Sequence, residues 1–346
     1  MTRSPHITSV EPAAGIPGGE VRVHLSLSGI GAESLSRLSV RFSQAEAHLV
    51  TISSSCALVL VPEGVLDEPV RVTTSEDDLG QSGPGDVQFT LGKRLAGNLH
   101  PVANPAFDPG DGALFVTRSG SRGEHVPTSI FRIESDGSLE EFSGDIMNPT
   151  SIAFDRTKRM FVTSRFDGTV YRITPDRQVT VFASDLGVAT GLAFNRDGEM
   201  FVGDRSGTIY RINEIGEASP WAEHEPSVSA YHLAFGPDND LYVSGPTVSS
   251  FDAITRFDQA GNASIFFRGL GRPQGLAFDR EGNLYVAAAL RGRRGVVRIS
   301  PDGGHAELAV AGMNVVGLAF GPNGEMVVAT NEAVYSLPLG IEGFLN

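Results

Sequence analysis

Six stretches of the chain repeat one arrangement of apolar and polar positions. Each has a short apolar run ending in Phe, a polar turn and a second apolar run, as in GLAFNRDGEMFV and GLAFDREGNLYV. The anchor phenylalanines are Phe107, Phe154, Phe194, Phe235, Phe278 and Phe320, and they lie 47, 40, 41, 43 and 42 residues apart. This regular spacing predicts a repeat architecture.

Each repeat resolves into short strands separated by turn residues, and a sustained 3.6-residue period is essentially absent. The second strands are expected at Leu114–Thr117, Met160–Thr163, Met200–Gly203, Leu241–Ser244, Leu284–Ala287 and Met326–Ala329. Four antiparallel strands in about 40 residues are typical of a β-propeller blade. We therefore expect a six-bladed β-propeller over residues 93–346.

The two ends of the repeat array predict how this propeller closes. The sixth repeat stops after its third strand, and only GIEGFLN follows Pro338. We expect the segment near Lys93–Gly97, which precedes the first repeat, to supply the missing outer strand. A borrowed strand closes the ring and removes an exposed sheet edge.

Residues 1–92 do not carry the repeat. They contain apolar segments such as VRVHLSL, LSVRF, ALVLVP and VQFTL, separated by turns rich in Gly, Pro and Asp. About seven such strands in this length indicate a small immunoglobulin-like β-sandwich. The expected fold is all-β, with this sandwich over residues 1–92 and the propeller after it.

A third apolar run carries an arginine at the same position in five of the six repeats. These residues are Arg132, Arg172, Arg211, Arg256 and Arg298. We interpret them as structural, because a residue repeated in almost every blade meets a packing need that the blades share.

Loop lengths predict which face of the propeller binds a ligand. The distance from the middle of the second strand to the end of the third varies as 18, 12, 11, 15, 14 and 10 residues. The distance from anchor to second strand hardly varies. Insertions on one face favour a binding face over neutral variation of exposed loops.

Arginines are frequent in these loops. Arg suits bidentate contact with carboxylate or phosphate, so we predict that the face binds a small anionic molecule or a peptide. The candidate contacts are Arg118, Arg122, Arg165, Arg205, Arg291 and Arg293. In the alternative interpretation, carboxylates of the same loops neutralise the arginines; these are Glu124, Asp167, Asp204 and Asp252.

Composition narrows the classes of partner. Lys and Arg number 27 against 41 Asp and Glu, a net charge of −14, which argues against a nucleic acid or an anionic membrane as partner. The single cysteine, Cys56, excludes an internal disulfide. The sequence has no signal-peptide h-region and no apolar run near 18 residues, which predicts a cytoplasmic protein. It makes no prediction of oligomeric state.

The repeat cores and the unit PQGLAFDREGNLYV at 273–286 resemble the SMP-30/gluconolactonase family and the related NHL-repeat propellers. The opening ITSVEPAAGIPGGEVRVHLSL resembles an IPT/TIG domain. The first resemblance implies a hydrolase of lactones or esters, or a metal-assisted lyase. It also implies a divalent metal, such as Ca²⁺ or Zn²⁺, held by Glu, Asn and Asp four residues before the anchor.

The chain departs from that ligand set. The corresponding residues are Ala103, Thr150, Thr190, Tyr231, Gln274 and Val316, none of them a carboxylate. Asp204 and Asp252 remain as candidate metal ligands from the loops. A binding module is therefore the leading hypothesis, and a hydrolase is the alternative.

Three residues expected at the mouth of the central channel are candidates for chemistry. Tyr231 and Gln274 are predicted ligand contacts. His232 stands where three other repeats have Gly, and an imidazole there is a candidate general base. The alternative is a histidine that only fills space and forms a hydrogen bond.

Overall fold

The structure is a computed structural model that describes residues 6–26, 38–65, 69–76, 80–81, 87–121, 123–249 and 251–344. Within these ranges the regular structure consists of β-strands without helices, so the all-β prediction is confirmed. No helix of the described part is long and apolar enough to cross a membrane. The chain forms two compact units. The first takes Met1–Lys93, Arg293–Val296 and Leu308–Asn314, and the second takes the remaining residues.

The N-terminal strands of the first unit form two sheets, with orders β1-β3-β7-β6 and β2-β10-β8-β4-β5, and β9 lies beside β8. The strands are β1 His6–Glu11, β2 Ala14–Gly15, β3 Glu20–Ser26, β4 Leu38–Phe42, β5 Ala45–Glu46, β6 His48–Ile52, β7 Cys56–Leu60, β8 Val70–Glu76, β9 Gly80–Gln81 and β10 Val87–Leu91.

Alternation of side chains builds the core of this unit. In β3 the buried positions are Val21, Val23 and Leu25, while the residues between them face outward. Phe42 and Phe89 meet edge to face in the core, with ring centroids 5.0 Å apart. The period-two pattern of the sequence therefore predicts this packing correctly.

The second unit arranges its strands by sequence repeat, and we number the resulting four-stranded arrangements sheets 1–6. Sheets 1–3 contain β12 Ala106–Phe107, β13 Leu114–Thr117, β14 Ile130–Ile133, β15 Leu139–Ser143; β16 Pro149–Phe154, β17 Met160–Ser164, β18 Thr169–Ile173, β19 Val179–Ala183; and β20 Ala189–Phe194, β21 Met200–Asp204, β22 Thr208–Ile212, β23 Ala218–Glu223.

Sheets 4–6 continue the pattern, and a short pairing between β27 and β29 joins sheets 4 and 5. Their strands are β24 His232–Phe235, β25 Leu241–Ser244, β26 Asp252–Phe257, β27 Ala263–Gly271; β28 Leu276–Phe278, β29 Leu284–Leu290, β30 Arg293–Ile299, β31 Ala306–Ala311; and β32 Val315–Phe320, β33 Met326–Thr330, β34 Val334–Leu337 with β11 Lys93–Ala96.

The order of the last sheet is β11-β34-β33-β32, so β11 is its outermost strand, as the sequence predicts for this segment. The innermost strands lie next to one another in the order β12, β16, β20, β24, β28 and β32, and β32 lies next to β12. A closed ring of six blades requires these neighbours; the ring itself stays a prediction.

The anchor phenylalanines fill the boundaries between sheets. The ring of Phe194 lies 5.6 Å from Phe161, which belongs to the second strand of the preceding sheet. Phe235 lies in the same way against Phe201, at 5.1 Å. The corresponding pairs elsewhere are Phe115 with Phe154, Tyr242 with Phe278 and Tyr285 with Phe320. The repeated Phe is thus a packing residue between neighbours.

The strands of each sheet are connected at two opposite ends. The connections from second to third strand, and from the fourth strand to the next sheet, leave from one end, which we call the loop face. The tight turns from first to second strand and from third to fourth strand leave from the other end, which we call the turn face. Residues 165–168 lie on the loop face and residues 155–159 on the turn face.

Candidate functional site

Arg165 and Arg205 occupy equivalent positions on the loop face, each directly after a second strand. Their backbone amides are held by the preceding connections, Arg165 to the carbonyl of Asn148 at 3.2 Å and Arg205 to that of Val188 at 3.3 Å. Both side chains are half-buried. Burial, together with the nearby Arg205 charge, lowers the pKa of Arg165. The fold therefore holds two cations close enough to repel each other.

Two carboxylates of the surrounding loops, Asp167 and Asp204, have other hydrogen-bond partners. Within the described residues, neither arginine has a carboxylate oxygen within 4.0 Å. Asp167 accepts a 2.6 Å hydrogen bond from the Tyr171 hydroxyl. Asp204 accepts from the amide of Val188 at 2.9 Å. Among the described residues, these carboxylates therefore form no ion pair with Arg165 or Arg205.

The long first loop lies against Arg165. A guanidinium nitrogen of Arg165 donates to the carbonyl of Gly120 at 3.1 Å. Asn148 is fully buried, donates to the carbonyls of Gly120 and Ser121, and accepts from the amide of Gly123. Asn148 is not predicted from the sequence; its signal is an Asn-Pro pair at the start of an inner strand, β16.

The other loop arginines have different surroundings. Arg118 is half-buried and lies near Glu124, whose pKa is lowered by hydrogen bonds from Ser121 and by the Arg118 charge. Arg122 lies outside the described residues. Arg291 is exposed. Arg293 belongs to the first unit, where it donates to the carbonyl of Glu11 at 3.0 Å. No contact within the described residues joins Arg291 to the Arg165–Arg205 pair.

Tyr231 and Gln274 differ in accessibility. Tyr231 has no exposed surface, and its hydroxyl donates to the carbonyl of Glu225. Its ring lies against Gly203 and Gly245, where an added Cβ would come within 3.1 Å and 2.6 Å of it. Gln274 is half-buried, and its side-chain amide makes no hydrogen bond to the described residues. Of the two, Gln274 is the one free to contact a ligand.

His232 is only 3% exposed and lies in β24, paired with Ser244 of β25. Burial lowers the pKa of His232 to about 4, so the imidazole is neutral at pH 7. Its Nε2 atom is buried and has no hydrogen-bond partner among the described residues. A neutral imidazole is the form that a general base requires, but this one has little contact with solvent.

The metal positions implied by the family resemblance are not built for a cation. The carbonyl oxygens of Thr150, Thr190 and Gln274 accept hydrogen bonds from Thr117, Thr163 and Ser244 of the preceding sheets. Among the residues with described positions, no three His, Cys, Asp or Glu side chains cluster as metal ligands. The residues present do not fit the family's metal.

Asp204 and Asp252 also serve local structure. One oxygen of Asp204 accepts hydrogen bonds from the amide of Val188, in the preceding connection, and from the amide of Ser206. The other oxygen accepts from the hydroxyl of Ser206. One oxygen of Asp252 accepts from the amide and hydroxyl of Thr247, and the other is buried without a described partner. Each carboxylate therefore braces a loop-face connection, and a metal role for either remains a prediction.

Comparison with known proteins agrees with this architecture. The family model of the SMP-30/gluconolactonase/LRE-like region matches residues 157–332, and the IPT/TIG domain model matches residues 5–91. No curated protein matches the chain in sequence.

Several solved structures share the fold at low identity. A gluconolactonase from Xanthomonas campestris aligns with a TM-score of 0.57 at 17% identity, over 71% of this chain and 88% of that one. The calcium-binding protein regucalcin from Agrobacterium tumefaciens gives 0.58 at 18%, over 74% and 96%. An auxiliary nutrient binding protein from Bacteroides thetaiotaomicron gives 0.56 at 13%, over 96% and 97%. Because the first family model spans just over half of its length, the chain belongs to the SMP-30/gluconolactonase/LRE-like family.

Proposed function

We propose that the second unit closes into a six-bladed propeller whose loop face binds a small anionic molecule or an acidic peptide through Arg165 and Arg205. The carrying observation is the pair of half-buried guanidinium groups without a carboxylate partner in the described residues. Two like charges held together raise the free energy of the unliganded protein, and a bound anion relieves that repulsion.

Apolar side chains on the same face suit the organic part of such a ligand. Phe166 follows Arg165 directly and is 47% exposed. Further exposed apolar residues of the loop-face connections are Val228, Val248 and Phe251. The nutrient-binding protein of similar fold supports a binding role for this architecture.

The test is isothermal titration with phosphate, citrate, gluconate and an acidic peptide. We expect the R165A/R205A variant to bind at least about tenfold more weakly, because each lost charge-assisted hydrogen bond removes about 1.5–3 kcal/mol. Affinity of the wild type should fall as salt rises. The matched control is R196A/R280A, which removes two exposed arginines of the turn face. Unchanged affinity of R165A/R205A for every ligand found would overturn the proposal.

Hydrolysis of a lactone or ester is the second candidate function. It is supported by the family and by the neutral imidazole of His232, whose Nε2 has no described partner. His232→Gln keeps a polar side chain of similar size but cannot act as the base. A variant with full lactone turnover would remove His232 from the reaction.

A further inference from the structure

Four of the five arginines in the third strands pair with carboxylates of the turn face. The pairs are Arg132 with Asp111, Arg211 with Glu199, Arg256 with Asp238 and Asp240, and Arg298 with Glu281 and Glu307. Arg172 of sheet 2 is the exception. It makes no ion pair with any described residue, and its buried Nε atom has no hydrogen-bond partner there.

The sequence of the sheet 2 turn explains the exception. Glu199 and Asp240 each lie five residues after an anchor Phe, and the same position in sheet 2 is Arg159. Arg159 donates instead to Asp155 at 2.6 Å. Its guanidinium also lies 5.7 Å from the ring of Phe161, a place that the third-strand arginine takes in sheets 1 and 4. Arg172 is left without its usual partner.

Further cations lie at the same end of sheet 2. Met160 pairs with Ile173, so turns 155–159 and 174–178 both leave from the turn face beside Arg172. These turns carry Arg156, Lys158, Arg159 and Arg177, and all but Arg177 belong to the four-residue run RTKR. The cluster includes one of only two lysines in a chain of net charge −14.

The acidic groups near this cluster are fewer and mostly engaged. Asp155 is 9% exposed and accepts hydrogen bonds from Thr157 and Arg159. Glu140 pairs with Arg177 and also faces Arg132 of sheet 1. Asp176 is exposed in the second turn. Among the described residues, the five cations Arg156, Lys158, Arg159, Arg172 and Arg177 outnumber these three carboxylates.

We propose that the turn face of sheet 2 is a second anion site, which takes a phosphate group, with Arg172 as the central donor and Arg156, Lys158 and Arg159 around it. A tetrahedral oxyanion offers acceptors in several directions, which suits donors that come from a strand and from a turn. The site lies at the opposite end of the sheets from Arg165 and Arg205 and is independent of the function proposed above.

The experiment uses the full chain carrying R165A/R205A, so that the loop face does not contribute. Its melting temperature is followed during titration with inorganic phosphate and with phenyl phosphate, against sodium chloride at equal ionic strength. We expect a saturable rise with phosphate, since a ligand of the native state raises the midpoint. Response to both ligands assigns a phosphate-group site, and response to inorganic phosphate alone assigns a free-ion site.

Three further variants make the test specific. R159E restores the carboxylate that sheets 3 and 4 have, so it should pair Arg172 internally, raise the melting temperature without phosphate and weaken phosphate binding at least about tenfold. R172Q should also lose binding. R211Q, whose arginine already pairs with Glu199, should keep it. An absent phosphate response in the parent protein, or a response in R159E or R172Q equal to that of the parent, overturns the proposal.

Discussion

The hydroxyl of Thr163 donates a 2.6 Å hydrogen bond to the carbonyl oxygen of Thr190, across the boundary between sheets 2 and 3. Thr117 makes the same bond to Thr150, and Ser244 makes it to Gln274. Each hydroxyl lies at the end of a second strand, and each acceptor lies four residues before the next anchor. The Thr or Ser at the end of the second strand therefore links the inner strand of the next sheet to its own sheet by a hydrogen bond.

Replacing Thr163 by Val keeps the size and branching of the side chain and removes the hydroxyl that links the two sheets. Thr190 loses a donor, and the amide of Ser151, which donates to the Thr163 hydroxyl at 3.0 Å, loses its acceptor. We expect the free energy of unfolding in urea to fall by about 1–3 kcal/mol, since buried polar groups are left unpaired. Thr180→Val, on an exposed strand, is the control and should change it by less than about 0.5 kcal/mol. Equal losses of stability in Thr163→Val and Thr180→Val would contradict the role of Thr163 in linking the two sheets.

Phe161 tests the packing between sheets. It is 1% exposed and meets Phe182 and Phe194 edge to face at 5.0 Å and 5.6 Å. Phe161→Ala should lower the free energy of unfolding by about 3–5 kcal/mol, because it leaves a cavity between two sheets. Phe166→Ala, at a side chain 47% exposed, should have a much smaller effect in the same urea titration.

The repeat pattern predicted most of the fold because burial of apolar residues alternates with the strand period. It placed the anchors, the second strands and the outer position of β11. It could not place Asn148 or show that Tyr231 is buried, because those properties depend on contacts between distant segments. The sequence identified the arginines of the loops, but it could not show which of them lack a carboxylate partner, because pairing depends on the direction of each side chain.

His224 and His232 predict the response of stability to pH. Burial lowers the pKa of each to about 4, whereas an unfolded histidine titrates near 6.5. Between these values the unfolded chain binds more protons, so stability falls as pH drops from 6.5 towards 4 and is constant above. The loss should reach up to about 3 kcal/mol for each histidine.

Urea titrations at pH 7, 6 and 5 check this expectation. His232→Gln should remove roughly half of the pH dependence, because one of the two imidazoles with a lowered pKa is gone. His305→Gln, at an exposed position, should leave the dependence unchanged. A wild type as stable at pH 5 as at pH 7 would show that neither imidazole is kept neutral by the fold.

Gly275 tests how closely the inner strands approach. A Cβ added there would lie 1.9 Å from Oδ1 of Asn104 and 2.6 Å from the Cα of Gly317. Asn104 cannot move freely, because it donates to the carbonyl of Leu276 and accepts from the amide of Leu318. Gly275→Ala should therefore cost about 1–3 kcal/mol or more in urea unfolding. Gly304→Ala, which meets only the Asp302 side chain at 3.1 Å, is the matched control and should be nearly neutral.

The missing carboxylates at the channel mouth predict how the protein responds to metals. Ca²⁺ prefers several oxygen ligands, usually with carboxylates among them, and Zn²⁺ prefers His, Cys or carboxylate. The six mapped positions offer no carboxylate, His or Cys side chain, and the carbonyls of Thr150, Thr190 and Gln274 already accept hydrogen bonds. We expect no saturable rise in melting temperature when EDTA-treated protein is titrated with Ca²⁺, Zn²⁺, Mg²⁺ or Mn²⁺.

The control for that titration is the Asp252→Asn variant, because Asp252 has a buried carboxylate oxygen without a described partner. A rise with one metal in the wild type that disappears in Asp252→Asn would place a cation at the loop between β25 and β26. Such a result would contradict the prediction and favour metal-assisted hydrolysis over simple binding. A flat response in both proteins would agree with the proposed binding role of the arginine pair, since its charge needs no metal to attract an anion.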